Sequence, residues 1–309
     1  MIRRALHTLL SASLLALAAC AAQPSKPSSA KTAASSTPPA ETSVESNPAD
    51  ASVDLTPVEF AVARANFVRD TAKRFGVDAG YIDGVLAQAV YRDDVVALMS
   101  KPAERVKPWN EYRARMLTDA RIASGREFFA THRAELQRVY ARTGVPGEII
   151  TAIIGVETSY GGFTGKHRVL DALYTLAFYY PRSGDPTKAA YEQRRELFFR
   201  DELAQLFALS REEKLDILSV TGSYAGAMGM GQFMPSSYRE FAVDGDNDGR
   251  RDLFNDYDDI FSSIANYFVK KGGEQGGWVR DGAVAAQAAP LPGHEEFNPT
   301  DWLAVVTLA

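Results

Sequence analysis

The chain has 309 residues, which is enough for one or two domains with a substantial hydrophobic core. Its formal net charge of −5, without a basic stripe between aromatic residues, argues against nucleic acid as a partner. The four histidines and one cysteine do not favour a zinc site. Because Cys20 is the only cysteine, an intramolecular disulfide is excluded and packing must hold the fold.

Residues 1–19 have the pattern of a secretion signal. A positively charged start at Met1 to Arg4 precedes an apolar run of about 15 residues, shorter than the ~20 that span a bilayer. Small residues before Cys20 are typical of a bacterial lipoprotein signal, in which this cysteine becomes the lipidated first residue. We therefore expect a protein anchored to a membrane rather than crossing it. An ordinary signal peptide cleaved nearby is the alternative.

Residues 20–53 contain mostly Ala, Ser, Pro, Thr and Lys, and this composition predicts a disordered tether. Ala21 and Ala22 follow Cys20 with no aspartate directly after it, which resembles Gram-negative lipoproteins sorted to the outer membrane. The resemblance implies a periplasmic protein held at that membrane by lipid.

Residues 54–277 have helical periodicity, and no sustained strand-type alternation is found before about residue 278. Thr56 to Glu59 forms a capping-box pattern, and Asp78 is placed to cap a second helix. The first helix is expected to end at Gly76, with Phe60, Phe67, Val68 and Phe75 facing inward. Further helices are predicted within 109–142, at 189–209 and at 260–268. The predicted fold class is mainly α.

The stretch from Gly144 to Gly162 combines an apolar helical stripe with one carboxylate. Pro146 suits a first helical turn, and Gly161 is expected to help end the helix. Burial of the stripe would raise the pKa of its glutamate, as a general acid requires. A buried glutamate paired with an arginine, or capping a neighbouring helix, is the alternative. The stripe consists of Ile150, Ile153, Ile154 and Glu157, which lie at positions i, i+3, i+4 and i+7 of the helix.

Two long motifs resemble the membrane-bound lytic murein transglycosylase B family. They are Gly155-Val-Glu-Thr-Ser-Tyr-Gly161 and Gly222-Ser-Tyr-Ala-Gly-Ala-Met-Gly-Met-Gly-Gln-Phe-Met-Pro-Ser-Ser-Tyr238, and the similarity runs from roughly Leu55 to about Gly277. The resemblance implies a goose-lysozyme-like helical core with Glu157 as the catalytic residue. Ordinary core packing is the alternative for its methionines and aromatic residues. The substrate-binding residues implied by the resemblance are Tyr112, Arg194, Arg195, Ser223, Gln232, Phe233 and Tyr267, with Tyr238 supporting the wall of the site.

The segment Asp244-Gly-Asp-Asn-Asp-Gly-Arg-Arg-Asp-Leu-Phe-Asn255 fits the spacing of an EF-hand-like calcium loop. Asn255 stands where a bidentate carboxylate is usual, and Arg251 replaces an apolar residue, so binding is expected to be weak, ~10⁻⁴ to 10⁻³ M. An acidic turn that binds nothing is the alternative. No organic cofactor is expected. The predicted ligands are Asp244, Asp246, Asp248, Arg250 and Asn255.

Residues 278–309 are rich in Ala, Pro and Gly, with a possible strand at 284–288. In the family a small β domain occupies this place, and a later segment returns a tyrosine and an asparagine to the cleft. No such segment is found before Ala309, so we expect a partial, truncated β region.

The resemblance implies an enzyme that cleaves the β-1,4 bond between N-acetylmuramic acid and N-acetylglucosamine in peptidoglycan strands. Glu157 would act first as acid and then as base, leaving 1,6-anhydromuramyl ends without using water. Two alternatives stay open: a catalytically impaired, peptidoglycan-binding lipoprotein, and a lysozyme that uses water.

Overall fold

The computed structural model describes residues 59–101, 109–271, 277–278 and 280. They belong to one compact unit, Asp54–Ala309. The predicted signal, Cys20, the tether and almost all of the expected β region lie outside the described residues, as do the side chains of Trp109, Asn110 and Tyr112.

Within the described ranges the chain folds into eleven helices and one short antiparallel ribbon, which confirms the mainly α fold class. The ribbon pairs β1 (His167–Arg168) with β2 (Thr221–Gly222), and His167 lies opposite Gly222. None of these helices is long and apolar enough to cross a membrane. The helices are α1 (Phe60–Phe75), α2 (Ala79–Leu86), α3 (Asp93–Ser100), α4 (Trp109–Met116), α5 (Asp119–Thr131), α6 (Arg133–Thr143), α7 (Gly147–Thr158), α8 (Val169–Phe178), α9 (Ala189–Glu212), α10 (Pro235–Phe241) and α11 (Tyr257–Lys270).

The first two helices show two of their three predicted caps. Helix α1 ends at Gly76, whose φ of 64° is in the left-handed region, and the Asp78 carboxylate caps α2 by accepting from the Tyr81 N–H at 2.7 Å. The start of α1 differs from the capping-box prediction, because Glu59 occupies the N-cap position and makes no side-chain cap hydrogen bond. Phe60 is also exposed rather than inward, and its ring stacks on Tyr179.

The core is built around α8, which is apolar on nearly all sides and packs against α9, α1 and α3. Its two buried polar side chains fasten the segment between α2 and α3. Asp171 accepts from the Val90 N–H at 2.9 Å, and Thr175 accepts from the Arg92 N–H at 3.1 Å. Both of these buried polar side chains therefore have partners, and the segment before α3 is fixed to the core.

Two helices near the site are longer than predicted. Helix α9 continues to Glu212, and α11 begins at Tyr257 rather than at Ile260. Asp256 caps α11 through the N–H groups of Asp258 and Asp259, at 2.9 and 3.1 Å. This earlier start places Asp259 in the first turn of α11, close to the predicted calcium loop.

Candidate active site

Glu157 lies on the last turn of α7, which carries the predicted stripe. Pro146 is the N-cap residue of this helix rather than a member of its first turn, since its ψ of 141° is extended. At the other end Ser159 is left-handed, with φ 51°, so the helix stops before Gly161. The helix end therefore depends on a strained non-glycine residue directly after the functional segment.

The stripe runs from the core out into a cleft. Ile150 and Ile154 are fully buried, as predicted, whereas Ile153 is partly exposed. Glu157 is exposed, so the prediction that it is buried in the core was wrong. The physical reason is that Ile153 and Glu157 line the wall of a cleft instead of facing another helix.

The cleft has a volume of about 270 Å³ and lies between α7, the segment before α10, and α11. The residues around the cleft remove water from the Glu157 carboxyl, and this desolvation raises its pKa above the ordinary value. Glu157 is thus reachable from solvent and still shielded enough to favour its protonated form. Glu157 is the only acidic residue among the described residues that line the cleft. These residues are Ile153, Glu157, Gly231, Gln232, Phe233, Met234, Ser237, Ile264, Tyr267 and Phe268.

A tight hairpin at 228–233 forms the floor beside Glu157. Met228 and Phe233 exchange two backbone hydrogen bonds of 2.9 Å, and Gln232 takes a left-handed φ of 51° between them. Gly229 has φ 71°, and a Cβ there would lie 2.5 Å from the carbonyl oxygen of Leu253. Only glycine fits that position, because both the backbone conformation and the close approach exclude a side chain.

Gln232 and Phe233 are placed at the cleft, as the resemblance implied. The Gln232 amide nitrogen donates to the carbonyl oxygens of Gly229 at 2.9 Å and Thr164 at 3.1 Å. Phe233 and Tyr267 meet edge to face with ring centroids 6.3 Å apart, and both line the cleft. These rings supply the apolar wall that shields the Glu157 carboxyl.

Thr158 and Tyr160, which the sequence did not indicate, hold the end of α7. The Thr158 hydroxyl donates to the Met230 carbonyl at 3.0 Å and accepts from the Gly161 N–H at 3.1 Å. Tyr160 donates to the Arg121 carbonyl at 3.1 Å, and its ring fills the space that a Cβ on Gly155 would need. Their only sequence signal was membership of the motif around Glu157.

Several implied substrate-binding residues do not line this cleft. The Ser223 hydroxyl accepts from the N–H groups of Ala225 at 3.2 Å and Ala227 at 3.0 Å, so it shapes its own loop. Arg195 lies over the rings of Phe198 and Phe199, and the neighbouring Arg194 is exposed on α9. The Tyr112 side chain lies outside the described residues.

The acidic loop brings together two of its predicted ligands and one residue that the prediction omitted. Carboxylate oxygens of Asp244, Asp246 and Asp259 lie within 4.8 Å of one another. Burial raises the pKa of Asp259 to about 6, although its carboxylate accepts N–H groups from Gly245 and Asp252, both at 2.6 Å. Three oxygen donors, one of them buried, fit a hard cation. Asp259 was missed because it lies beyond the twelve-residue EF-hand spacing.

The remaining predicted ligands do not join this group. Asp248 accepts from the Arg250 N–H at 2.8 Å, Arg250 lies at a separate small cavity, and the Asn255 amide donates to Asp252 at 3.3 Å. Arg251, the unexpected residue of the loop, pairs through its Nε with the Glu213 carboxylate at 2.7 Å. A nearly buried ion pair therefore takes the place of the usual apolar contact.

Tyr238 supports the acidic loop rather than the wall of the cleft. It is fully buried, and its hydroxyl accepts from the Leu253 N–H at 3.1 Å while donating to the Arg251 carbonyl. Because the Leu253 carbonyl in turn accepts from the Met230 N–H of the hairpin, Tyr238 is connected to the hairpin through that loop.

Comparison with known proteins identifies the family of this chain. The family model "Transglycosylase SLT domain" matches residues 59–302. The chain belongs to this family.

One relative in the SLT family is the membrane-bound lytic murein transglycosylase B of Escherichia coli K12, 38% identical over 231 residues. The match covers 72% of this chain and 59% of that protein, so the chain spans less than two thirds of its relative. The soluble lytic transglycosylase SltB1 of Pseudomonas aeruginosa is 44% identical, with a TM-score of 0.60 over 66% of this chain and 65% of that one.

A third SLT-family comparison bears on the acidic loop. The lytic transglycosylase SLT35 of Escherichia coli, solved in complex with calcium, is 38% identical with a TM-score of 0.63. The match covers 75% of this chain and 68% of that one. The overall helical fold is thus shared with solved lytic transglycosylases.

Proposed function

We propose that this protein is a peptidoglycan lytic transglycosylase with Glu157 as its catalytic residue. The observation that carries the proposal is the raised pKa of a single carboxyl group in an apolar-walled cleft. A carboxyl with a raised pKa holds its proton to higher pH than an ordinary glutamate does, which suits it to donate that proton to a glycosidic oxygen. Membership of the transglycosylase family supports the same substrate class.

One carboxyl group is sufficient if the substrate supplies the second catalytic group. Glycosidases that use water generally need two carboxylates, ~5–5.5 Å apart for retention or ~6.5–9.5 Å for inversion. Glu157 is the only acidic residue among the described cleft residues, which favours a lytic mechanism over a lysozyme that uses water.

In the proposed reaction Glu157 donates its proton to the oxygen that bridges N-acetylmuramic acid and N-acetylglucosamine, and the C1–O4 bond breaks. The muramyl 2-acetamido group stabilises the positive charge that develops at C1. The Glu157 carboxylate then takes the proton from the muramyl C6 hydroxyl, whose oxygen bonds to C1. The products are a 1,6-anhydromuramyl end and a free 4-hydroxyl, and Glu157 regains its proton.

The cleft residues define the proposed glycan contacts next to that bond. Gln232, Phe233 and Tyr267 line the same space as Glu157 and are proposed to contact the sugars there. For Tyr112, Arg194, Arg195 and Ser223, contact with the glycan remains a proposal based on family resemblance. The catalytically impaired binding lipoprotein receives no comparable support from the cleft.

Replacing Glu157 with Gln should abolish turnover and leave the fold intact, because the amide keeps the shape but has no acidic proton. Loss of a general acid costs ~10²–10⁴-fold, and the loss should be at least that large when one group serves both steps. Release of anhydromuropeptides from isolated sacculi measures it. Glu148→Gln, at the exposed start of the same helix, is the matched control and should keep full activity. Residual activity above a tenth in Glu157→Gln would remove Glu157 from the role.

The pH dependence of turnover should report the shielding of Glu157. The first step needs the protonated acid, so turnover falls as pH rises through its pKa, which desolvation moves above the usual ~4.3 for glutamate. Tyr267→Ala admits water to the cleft and should shift this alkaline limb to lower pH, whereas Tyr267→Phe should leave it in place. An unchanged limb in Tyr267→Ala would show that the wall does not set the pKa.

We propose calcium as the cation of the acidic loop, with Asp244, Asp246 and Asp259 as ligands. An ion bound only by the native state stabilises it by RT ln(1 + [L]/Kd), about 1.4 kcal/mol at ~10 mM calcium if Kd is ~10⁻³ M. Calcium should therefore raise the melting temperature relative to chelator-treated protein. Asp259→Asn should remove this response, and Asp248→Asn, outside the convergent group, should retain it. If Asp248→Asn removes the response and Asp259→Asn retains it, the ligands are instead those predicted from the twelve-residue loop.

We further propose that the protein is periplasmic and anchored to the outer membrane through lipid on Cys20. The support is the signal pattern in residues 1–20. Cys20→Ala should move the protein from the membrane to the soluble fraction, as measured by cell fractionation. A mutant that still fractionates with the outer membrane would contradict a lipid anchor at this residue.

A further inference from the structure

Phe163 is the most exposed large apolar side chain among the described residues, with 64% of its surface accessible. It lies six positions after Glu157, in the loop that follows α7. An exposed aromatic ring offers a flat apolar face to a ligand. Single exposed apolar side chains are common, so the position of the ring relative to the cleft decides whether this face has a role. The ring is therefore a candidate for contact with a ligand.

The loop that carries Phe163 is held firmly by its own backbone. The Phe163 N–H donates to the Thr158 carbonyl at 2.9 Å, and the Gly162 N–H donates to the Ser159 carbonyl at 3.3 Å. Gly165 has φ 103°, and a Cβ there would lie 2.0 Å from the carbonyl carbon of Gly222. The backbone of this loop therefore loses little conformational freedom when a ligand binds at the ring, which favours affinity.

The same loop borders the catalytic cleft. The Thr164 carbonyl, next to Phe163, accepts from the side-chain amide of Gln232, and Gln232 lines the cleft together with Glu157. Phe163 itself is not among the residues that line the enclosed space. The hydrogen bond between Thr164 and Gln232 therefore ties the loop that carries Phe163 to the cleft, and the ring itself lies outside the cleft lining.

A polymer bound at Glu157 needs more room than the enclosed cleft offers. The volume of about 270 Å³ is below the range of ~300–1,000 Å³ that accommodates a single drug-sized ligand. A glycan strand that crosses Glu157 must therefore continue over the surface around the cleft, and the Phe163 loop adjoins the cleft through the hydrogen bond between Thr164 and Gln232.

We propose that Phe163 is a stacking platform for a pyranose ring of the glycan strand, outside the enclosed cleft. This inference rests on the proposed function of the cleft. The negative face of an aromatic ring attracts the weakly positive C–H groups on the flat face of a sugar, and the contact also buries apolar surface. The platform would bind long strands and contribute little to substrates that end inside the cleft.

The test measures binding separately from cleavage. In the Glu157→Gln background, Phe163→Ala should weaken binding of long glycan strands stripped of stem peptides by about tenfold, as expected for one aromatic contact. Phe163→Trp should restore it, and binding of a tetrasaccharide should stay unchanged. Leu98→Ala, another exposed apolar side chain on α3, is the control and should bind like the parent. With Glu157 present, Phe163→Ala should raise KM on long strands without lowering kcat.

Equal binding of long strands by the parent and by Phe163→Ala would overturn the stacking role of Phe163 and leave the proposed function of the cleft in place. A change of oligomeric state in Phe163→Ala, with strand binding intact, would assign the ring to a protein contact and overturn it as well. If the Glu157→Gln parent binds neither glycan, the proposed function fails together with the platform.

Discussion

The arrangement of the cleft depends on the two backbone hydrogen bonds of Met230. Its N–H donates to the Leu253 carbonyl at 3.1 Å, and its carbonyl accepts from the Thr158 hydroxyl at 3.0 Å. One bond ties the hairpin to the end of the acidic loop, and the other ties it to the residue directly after Glu157. Gln232 and Phe233 belong to the same hairpin, so their distance from the carboxyl group is set by these two bonds.

Helix α11 connects the acidic loop to the cleft in a second way. Asp259, in its first turn, accepts backbone N–H groups from both ends of the loop, and Ile264 and Tyr267, farther along, line the cleft. A cation at the three carboxylates would offset their mutual repulsion and hold the loop against this helix. Its effect on catalysis would then be positional, through Leu253 and α11, because no cation ligand of the proposed group lies among the cleft residues.

Sequence periodicity predicted the helices well and the environment of their faces less well. The spacing of Ile150, Ile154 and Glu157 identified α7, but a 3.6-residue period does not distinguish a face in the core from one that turns into a cleft wall. Local caps such as Asp78 were predictable because donor and acceptor are three residues apart. The roles of Asp259 and Thr158 were not predictable, since their hydrogen-bond partners lie in distant segments of the sequence that only the fold brings close.

The exposure of Glu157 and its raised pKa are compatible because they concern different sides of the carboxyl group. The walls of the cleft remove water from one side, while the open side is the one from which the proposed glycan substrate would approach. A bound strand would displace water from the open side as well, and further desolvation favours the protonated carboxyl still more. Under the proposed mechanism, substrate binding would thus keep the Glu157 carboxyl protonated until it donates its proton. In the free protein the same opening lets the Glu157 carboxyl exchange protons with solvent, so that its protonation follows the pH of the solution.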